Sequence, residues 1–304
     1  MLFEPMVNHL KTLALPLMRI FITGGTGFIG SHVVKDALSL GHEVVCLRRL
    51  AGSASRIDLD KQPLWLDRSF NTISPKDFQG IDVLLHLAAH SVQRPFDSLE
   101  NCIKYNLIQP LSLFEKALSA GVVKFVVGGS CFEYGLSGLR HDFIPPNAPL
   151  EPTQSYSASK ALASISFIQW ALSKHVSLSI KRIFHVYGEG EDPSRLYPAL
   201  TLAAKSGLDF PMSDGQQVRD FTNVTDVARF LNDECLYIYS NNNPSISTSN
   251  LGSGKPQTVL EFAQNIWSTT NAKGRLLPGL LEQRVGDVMR YVPELNSRHI
   301  LFGN

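Results

Sequence analysis

Apolar residues along this chain alternate between two spacings. Ile20 to Ile22 form a continuous run that reads as a buried strand, and Ser31 to Leu40 then carry Val33, Val34, Ala37 and Leu38 at helical intervals. Strand patterns recur at Glu43 to Leu47, Leu64 to Asp67, Ile81 to Ala89, Val122 to Val127 and Ser179 to Val186. The stretch from Ile81 to Ala89 is too uniformly apolar to face water on one side, as expected of a parallel sheet covered on both faces. Helical spacing returns over residues 99–120, where Pro110 predicts a break, and from Ser155 through Ala161, Leu162, Ile165, Ile168 and Leu172. This alternation predicts an α/β, doubly wound parallel sheet up to about residue 186. Beyond it the pattern is mixed. A helix is predicted over Leu196 to Ser206 and another from Thr225, with a polar loop at Asn241 to Ser249 and a short strand ending at Asn250 to Gly254. The predicted division is a main domain, 18–186 plus 224–252, and a smaller lobe, 187–223 plus 253–304. Residues 1–17 read as a poorly ordered leader.

Composition narrows the partners. With 44% hydrophobic residues in 304, the chain can bury a full core, and a net charge near +1 offers no electrostatic footprint for nucleic acid or an acidic membrane. No apolar run approaches the roughly 20 residues of a membrane span. Glu4 and Lys11 precede the apolar Leu13 to Leu17 stretch and no small-residue cleavage site follows, which argues against a signal peptide. The four cysteines lack metal-ligand spacing and lie mostly within apolar runs, as reduced, buried thiols of a cytoplasmic protein would. No metal site is expected, and a small-molecule partner is favoured.

Between the first strand and the first helix lies Thr23-Gly24-Gly25-Thr26-Gly27-Phe28-Ile29-Gly30. A strand, a glycine turn and a helix in that order leave backbone N–H groups at a helix N-terminus with no side chain in the way, where a dinucleotide's pyrophosphate can sit. The end of the second strand, where an acidic residue would read the free ribose hydroxyls of NAD, carries Arg48 and Arg49, with Ser53 and Arg56 close behind. Forked donors there suit a 2′-phosphate, so NADP(H) is expected, with NAD(H) as the runner-up; the competing reading is two solvated loop arginines. Asp67 could meet the adenine amino group or simply form a turn. Small Ala88 and Ala89, at the end of the fourth strand, would let a cofactor approach closely.

Three residues then suggest chemistry. Ser130 follows the strand at Val122 to Val127, and ligands of open parallel sheets bind beyond the carboxyl ends of strands. Tyr156 and Lys160 lie one helical turn apart on one face. A phenol whose proton affinity is lowered by a neighbouring ammonium can exchange a proton with a carbonyl oxygen, and a serine hydroxyl can orient that carbonyl. A buried tyrosine with a solvated lysine would give the same spacing.

Together, Gly24 to Gly30, Leu87-Ala88-Ala89, Ser130 through Tyr134-Gly135, Tyr156 to Lys160, Arg182 through Gly188 and Arg219 to Ala228 resemble the extended short-chain dehydrogenase/reductases, the nucleotide-sugar epimerase/dehydratase group, over about Met18 to Glu294. The resemblance implies a Rossmann domain, a nucleotide-diphosphate-sugar pocket in a C-terminal substrate lobe, a Ser130/Tyr156/Lys160 triad and a homodimer built on the helices near 105–120 and 156–173. It also implies that Arg219 faces the diphosphate, against an internal salt bridge to Asp220 or Asp226. The family's 4,6-dehydratases carry Asp-Glu where Cys131 and Phe132 stand, so dehydration is not expected. His185 replaces a common asparagine and is a second acid/base, a substrate contact or a satisfied core histidine; the same alternatives hold for His90. The chain stops where the family usually continues through a final helix, so a minimal or truncated lobe is expected. The arginines at the second strand favour NADPH-dependent reduction of the 4-keto group of a nucleotide-linked 4-keto-6-deoxyhexose. The alternatives are an NAD-dependent nucleotide-sugar 4-epimerase and a cofactor-sensing binding protein with an idle triad.

Overall fold

The computed structural model of the chain describes residues 16–49, 51–283 and 288–295, so most of the expected leader and part of the C-terminal lobe lie outside the described residues. Strands β1 (Arg19–Thr23), β2 (Glu43–Arg48), β3 (Leu64–Asp67), β4 (Val83–His86), β5 (Lys124–Ser130), β6 (Ser177–Ile183) and β10 (Ile246–Leu251) form one sheet in the order β10-β6-β5-β4-β1-β2-β3. Every pairing in it is parallel. Helices α1 (Phe28–Ser39) and α6 (Val224–Ser240) cover one face, where Val33, Val34, Val227 and Leu231 pack on Ile20, Ile22 and Val126. Helices α2 (Leu99–Ile103), α3 (Gln109–Ser119) and α4 (Ser155–Lys174) cover the other, around Phe114, Phe125, Phe167 and Trp170. With both faces buried, the doubly wound Rossmann arrangement expected from the continuous apolar strands is what forms.

Past β6, the chain adds β7 (His185–Tyr187), α5 (Leu196–Ser206), β8 (Phe210–Pro211), β9 (Val218–Asn223), β11 (Pro256–Thr258), α7 (Val259–Thr269), β12 (Leu276–Leu277) and β13 (Arg290–Tyr291). Strand β9 pairs with β7, β11 and β13, and a separate apolar cluster joins Leu200, Met212, Phe262, Ala263 and Ile266.

Several expectations from pattern need correction. Strand β4 stops at His86, three residues short of Ala89. The irregularity in the 99–120 helix is a π-helical turn over Lys104–Ile108, and Pro110 sits inside the first turn of α3. Proline has no N–H to offer the carbonyl four residues back, and the wide turn ends just before it, with the Gln109 N–H bonded to the Lys104 carbonyl. The polar stretch 241–249 becomes strand from Ile246 onward. Its hydroxyls are satisfied inside the fold: Ser247 Oγ lies 3.3 Å from Ser179 Oγ, and Ser249 Oγ accepts from Lys181 Nζ at 3.0 Å. Helix α7 was not anticipated, although Thr258 and Glu261 form a reciprocal capping box at its start.

Candidate active site

The glycine turn is shaped by close backbone approach. A side chain at Gly24 would meet the Ala88 nitrogen at 2.7 Å, and its φ of +79° suits glycine; one at Gly30 would collide with the Gly24 carbonyl. Gly27 caps α1 without a side-chain bond, and the first turn, including Phe28 and Ile29, holds no acidic residue. The open N–H groups and the positive end of the helix dipole therefore fit a pyrophosphate. Leu87 and Ala88 are half-buried beside the turn, where the Leu87 N–H bonds the Thr23 carbonyl, and Ala89 is exposed.

At the end of β2 the structure departs from what the sequence suggested. Arg48 grips Asp67 through both ends of its fork, Nε to Oδ1 at 2.6 Å and Nη2 to Oδ2 at 3.1 Å. Its guanidinium also lies 4.9 Å over the Trp65 ring, with a long bond to the Ser53 carbonyl at 3.4 Å. Asp67, expected near an adenine, is thus the partner of the arginine expected near a phosphate, and the pairing holds its carboxyl below the usual range. Arg49 is exposed and Ser53 half-buried.

Ser130, Tyr156 and Lys160 come together. Ser130 ends β5, while Tyr156 and Lys160 open α4 beside it, all three buried. The Ser130 hydroxyl acts on the Tyr156 phenol, holding it lower than burial alone would. Phe96 stacks on the Tyr156 ring at 5.8 Å and 18°. Burial raises the phenol above its ordinary range, opposed by the Ser130 hydrogen bond and more weakly by Arg195. Lys160 donates to the Gly128 carbonyl at 2.8 Å, and burial lowers its affinity for a proton.

The remaining predicted residues divide. His90 is engaged: Nε2 pairs with Asp97 Oδ2 at 2.8 Å, and its backbone N–H donates to Asn106 Oδ1 at 2.7 Å. The His90 bond is the leading reason that Asp97 falls to about 2. Through Ser155, which donates to the Asp97 carbonyl at 2.7 Å, this cluster anchors the start of α4. Cys131 is buried and its thiol is pushed up to about 12, chiefly by burial. Phe132 is exposed at 43% and meets the His185 ring edge-on at 6.3 Å. His185 Nδ1 is buried without a hydrogen-bond partner, and burial followed by Arg219 and Arg195 pulls the imidazole down to about 3. Arg219, on β9, donates to the Val218 carbonyl at 2.9 Å. The carboxylate of Asp220 is taken up by Thr222, Ser253 and Gly254.

Two functional candidates escaped the sequence reading. Arg195 caps α5 and sits 3.7 Å from Glu191, whose carboxyl is pushed up to about 7, mainly by burial. Glu133 is fully buried directly behind Ser130. Neither belongs to a spaced motif; a charge within the otherwise apolar Cys131 to Tyr134 stretch was the one available signal.

The NAD dependent epimerase/dehydratase family model matches residues 20–232. The chain belongs to that family. It is an enzyme of the extended short-chain dehydrogenase/reductase type. A UDP-glucose 4-epimerase from Haemophilus influenzae is 29% identical over 316 residues, 89% of this chain and 88% of the relative. A dTDP-glucose 4,6-dehydratase from Neisseria gonorrhoeae is also 29% identical, over 90% of this chain and 81% of its own. Among solved structures, the NAD-dependent NDP-hexosamine 5,6-dehydratase TunA superimposes with a TM-score of 0.77 at 29% identity, covering 93% of this chain and 91% of that one. MoeE5, solved with UDP-glucose and NAD, gives 0.74 at 25% identity, again covering 93% and 91%. The four cysteines are free and buried, and among the described residues no helix is long and apolar enough to cross a membrane.

Proposed function

We propose that this protein interconverts the C4 epimers of a nucleotide-diphosphate hexose, using NAD that leaves each turnover as it entered. The observation carrying this reading is that Ser130, Tyr156 and Lys160 are buried together where β5 ends and α4 begins. Tyr156 would take the proton from the sugar's 4-hydroxyl and return it to the same oxygen after the ring carbon has changed face, while Ser130 holds that oxygen in place. A dinucleotide whose pyrophosphate is held at the glycine turn would supply, through its nicotinamide, a hydride acceptor and donor. Gly24, Gly27, Phe28, Ile29, Gly30 and Leu87 to Ala89 would hold the dinucleotide, with Lys160 available to its ribose. Arg219, Arg195 and His185 would face the diphosphate and sugar, with Phe132 as an apolar wall. In this reading 187–223 and 253–304 act as the substrate lobe.

Reduction and dehydration make different demands. Proton shuttling for dehydration has no agent in a phenyl ring at 132 or in a thiol pushed up to about 12 at 131. A net reductase consumes a reduced cofactor, and Arg48, already closed on Asp67, supports NADP(H) less than the bare sequence does. NADPH-dependent reduction of a 4-keto-6-deoxyhexose is the second reading; the exposed Arg49 beside that pair favours it. We also propose a homodimer, since Leu162, Ile165 and Leu172 on α4 expose 42%, 51% and 53% of their surface along one face. Assaying UDP-, dTDP-, CDP- and GDP-hexoses for 4-epimers, alongside NADH and NADPH oxidation with the matching 4-keto-6-deoxysugars, tests the reading. Epimers without net cofactor oxidation are expected; steady NADPH consumption would transfer the assignment to the reductase.

A further inference from the structure

A buried carboxylate lies behind the reacting side chains and touches every element that carries them. Glu133 is 0% exposed. Its Oε1 accepts from the Ser130 backbone N–H at 2.7 Å; its Oε2 accepts from Ser164 Oγ and from Arg182 Nε, each at 2.8 Å. Ser130 ends β5, Ser164 lies on α4 one turn beyond Lys160, and Arg182 belongs to β6. The network continues outward, because Arg182 Nη1 also donates to the Tyr134 hydroxyl at 3.1 Å and the Pro146 carbonyl at 2.8 Å. That Tyr134 hydroxyl donates in turn to Asn250 on β10 at 2.5 Å.

Burying an ion pair rarely gains stability over an apolar pair of the same shape, because both charges lose their water. The cost is easier to understand if the pair fixes geometry. We propose that Glu133 is the positioning residue of the active site, clamping the end of β5 to α4 so that the Ser130 hydroxyl stays registered on Tyr156. With the clamp in place Ser130 Oγ accepts from the Phe132 N–H at 3.2 Å, and its own proton is left to donate elsewhere. The carboxylate also acts through space, disfavouring the Tyr156 phenolate and favouring the Lys160 ammonium. The groups bearing on Tyr156 are Ser130, Glu133, Cys131 and Arg195, and on Glu133 they are Ser164, Arg182 and the Ser130 N–H.

This inference rests on the reading of Ser130, Tyr156 and Lys160 as the reacting groups, and its tests do not all need a known substrate. Glu133→Gln keeps the shape and removes the charge, and Ser164→Ala cuts only the bond to α4. In Glu133→Gln, the ionisation of Tyr156, isolated as the tyrosinate absorbance difference between the variant and its Tyr156→Phe counterpart, is expected to move down by about one pH unit. With substrate, Ser164→Ala is expected to lower kcat about three- to tenfold at unchanged KM and NAD affinity, and the acid limb of kcat in Glu133→Gln should move down with the phenol. If Glu133→Gln does not fold, Ser164→Ala alone decides. A folded Ser164→Ala with unchanged kcat, or a Tyr156 titration identical in the presence and absence of the carboxylate, overturns the proposal. If Tyr156→Phe itself retained full activity, the reading of the reacting groups would fail instead.

Discussion

The two ends of the candidate site are built by opposite means. At the glycine turn nothing but backbone is on offer: Gly24 lies against Ala88, Gly30 against the Gly24 carbonyl, and α1 begins with no capping side chain. At the end of β5 almost everything is side chain: Ser130, Tyr156, Lys160, Glu133, Arg182 and Ser164 are all buried, with Glu133 bonded to Ser130, Ser164 and Arg182, Lys160 bonded to the Gly128 carbonyl and Tyr156 stacked on Phe96. The first end excludes atoms so that an anion can approach. The second fixes atoms so that a proton can move. A change at the first should therefore register in binding, and at the second in turnover.

Tyr156→Phe presses hardest on this contrast. It removes the phenolic proton that the sugar oxygen exchanges, and kcat is expected to fall about 10²–10⁴-fold with NAD affinity unchanged, measured by steady-state rates and cofactor titration. Arg182→Met comes next: it strands the Glu133 carboxylate in the interior and should destabilise the fold by about 3–5 kcal/mol in denaturant unfolding. Gly30→Ala is milder in overall effect. Its methyl meets fixed backbone and is expected to cost about 1–3 kcal/mol, read as weaker NAD binding or lower stability while the Tyr156 environment is spared.

The last effect appears only in acid. Burial drops His185 from 6.5 to about 3, so the unfolded chain takes up a proton in that window while the folded one does not. Folded stability is thus intact above 6.5 and is progressively lost as pH falls toward 3; His86, likewise buried and held at about 3, adds to the loss. His185→Asn should flatten the dependence of melting temperature on pH between those limits without abolishing it.

The same contrast explains what could be read in advance. The turn is contiguous in sequence, so the spacing of Gly24, Gly27 and Gly30 sufficed. The pairing of Tyr156 with Lys160 was also legible, being one helical turn. Glu133 with Arg182, and Arg48 with Asp67, join residues 49 and 19 positions apart, and only strand order brings them together. For Arg48 that neighbour alters the chemistry: an arginine read as waiting for phosphate is answered by the next strand's carboxylate. Polar β10 was read as loop because the partners of its serines lie on β6, about 68 residues earlier.

Epimerisation requires that the hydride taken from C4 go back to the same sugar. A nucleotide hexose deuterated at C4, incubated with the protein and excess unlabelled NADH and NADPH, answers this by NMR. Deuterium retained at C4 of the inverted sugar is the predicted result. Protium delivered to C4 from the added cofactor, or no inverted sugar from any nucleotide offered, would contradict it.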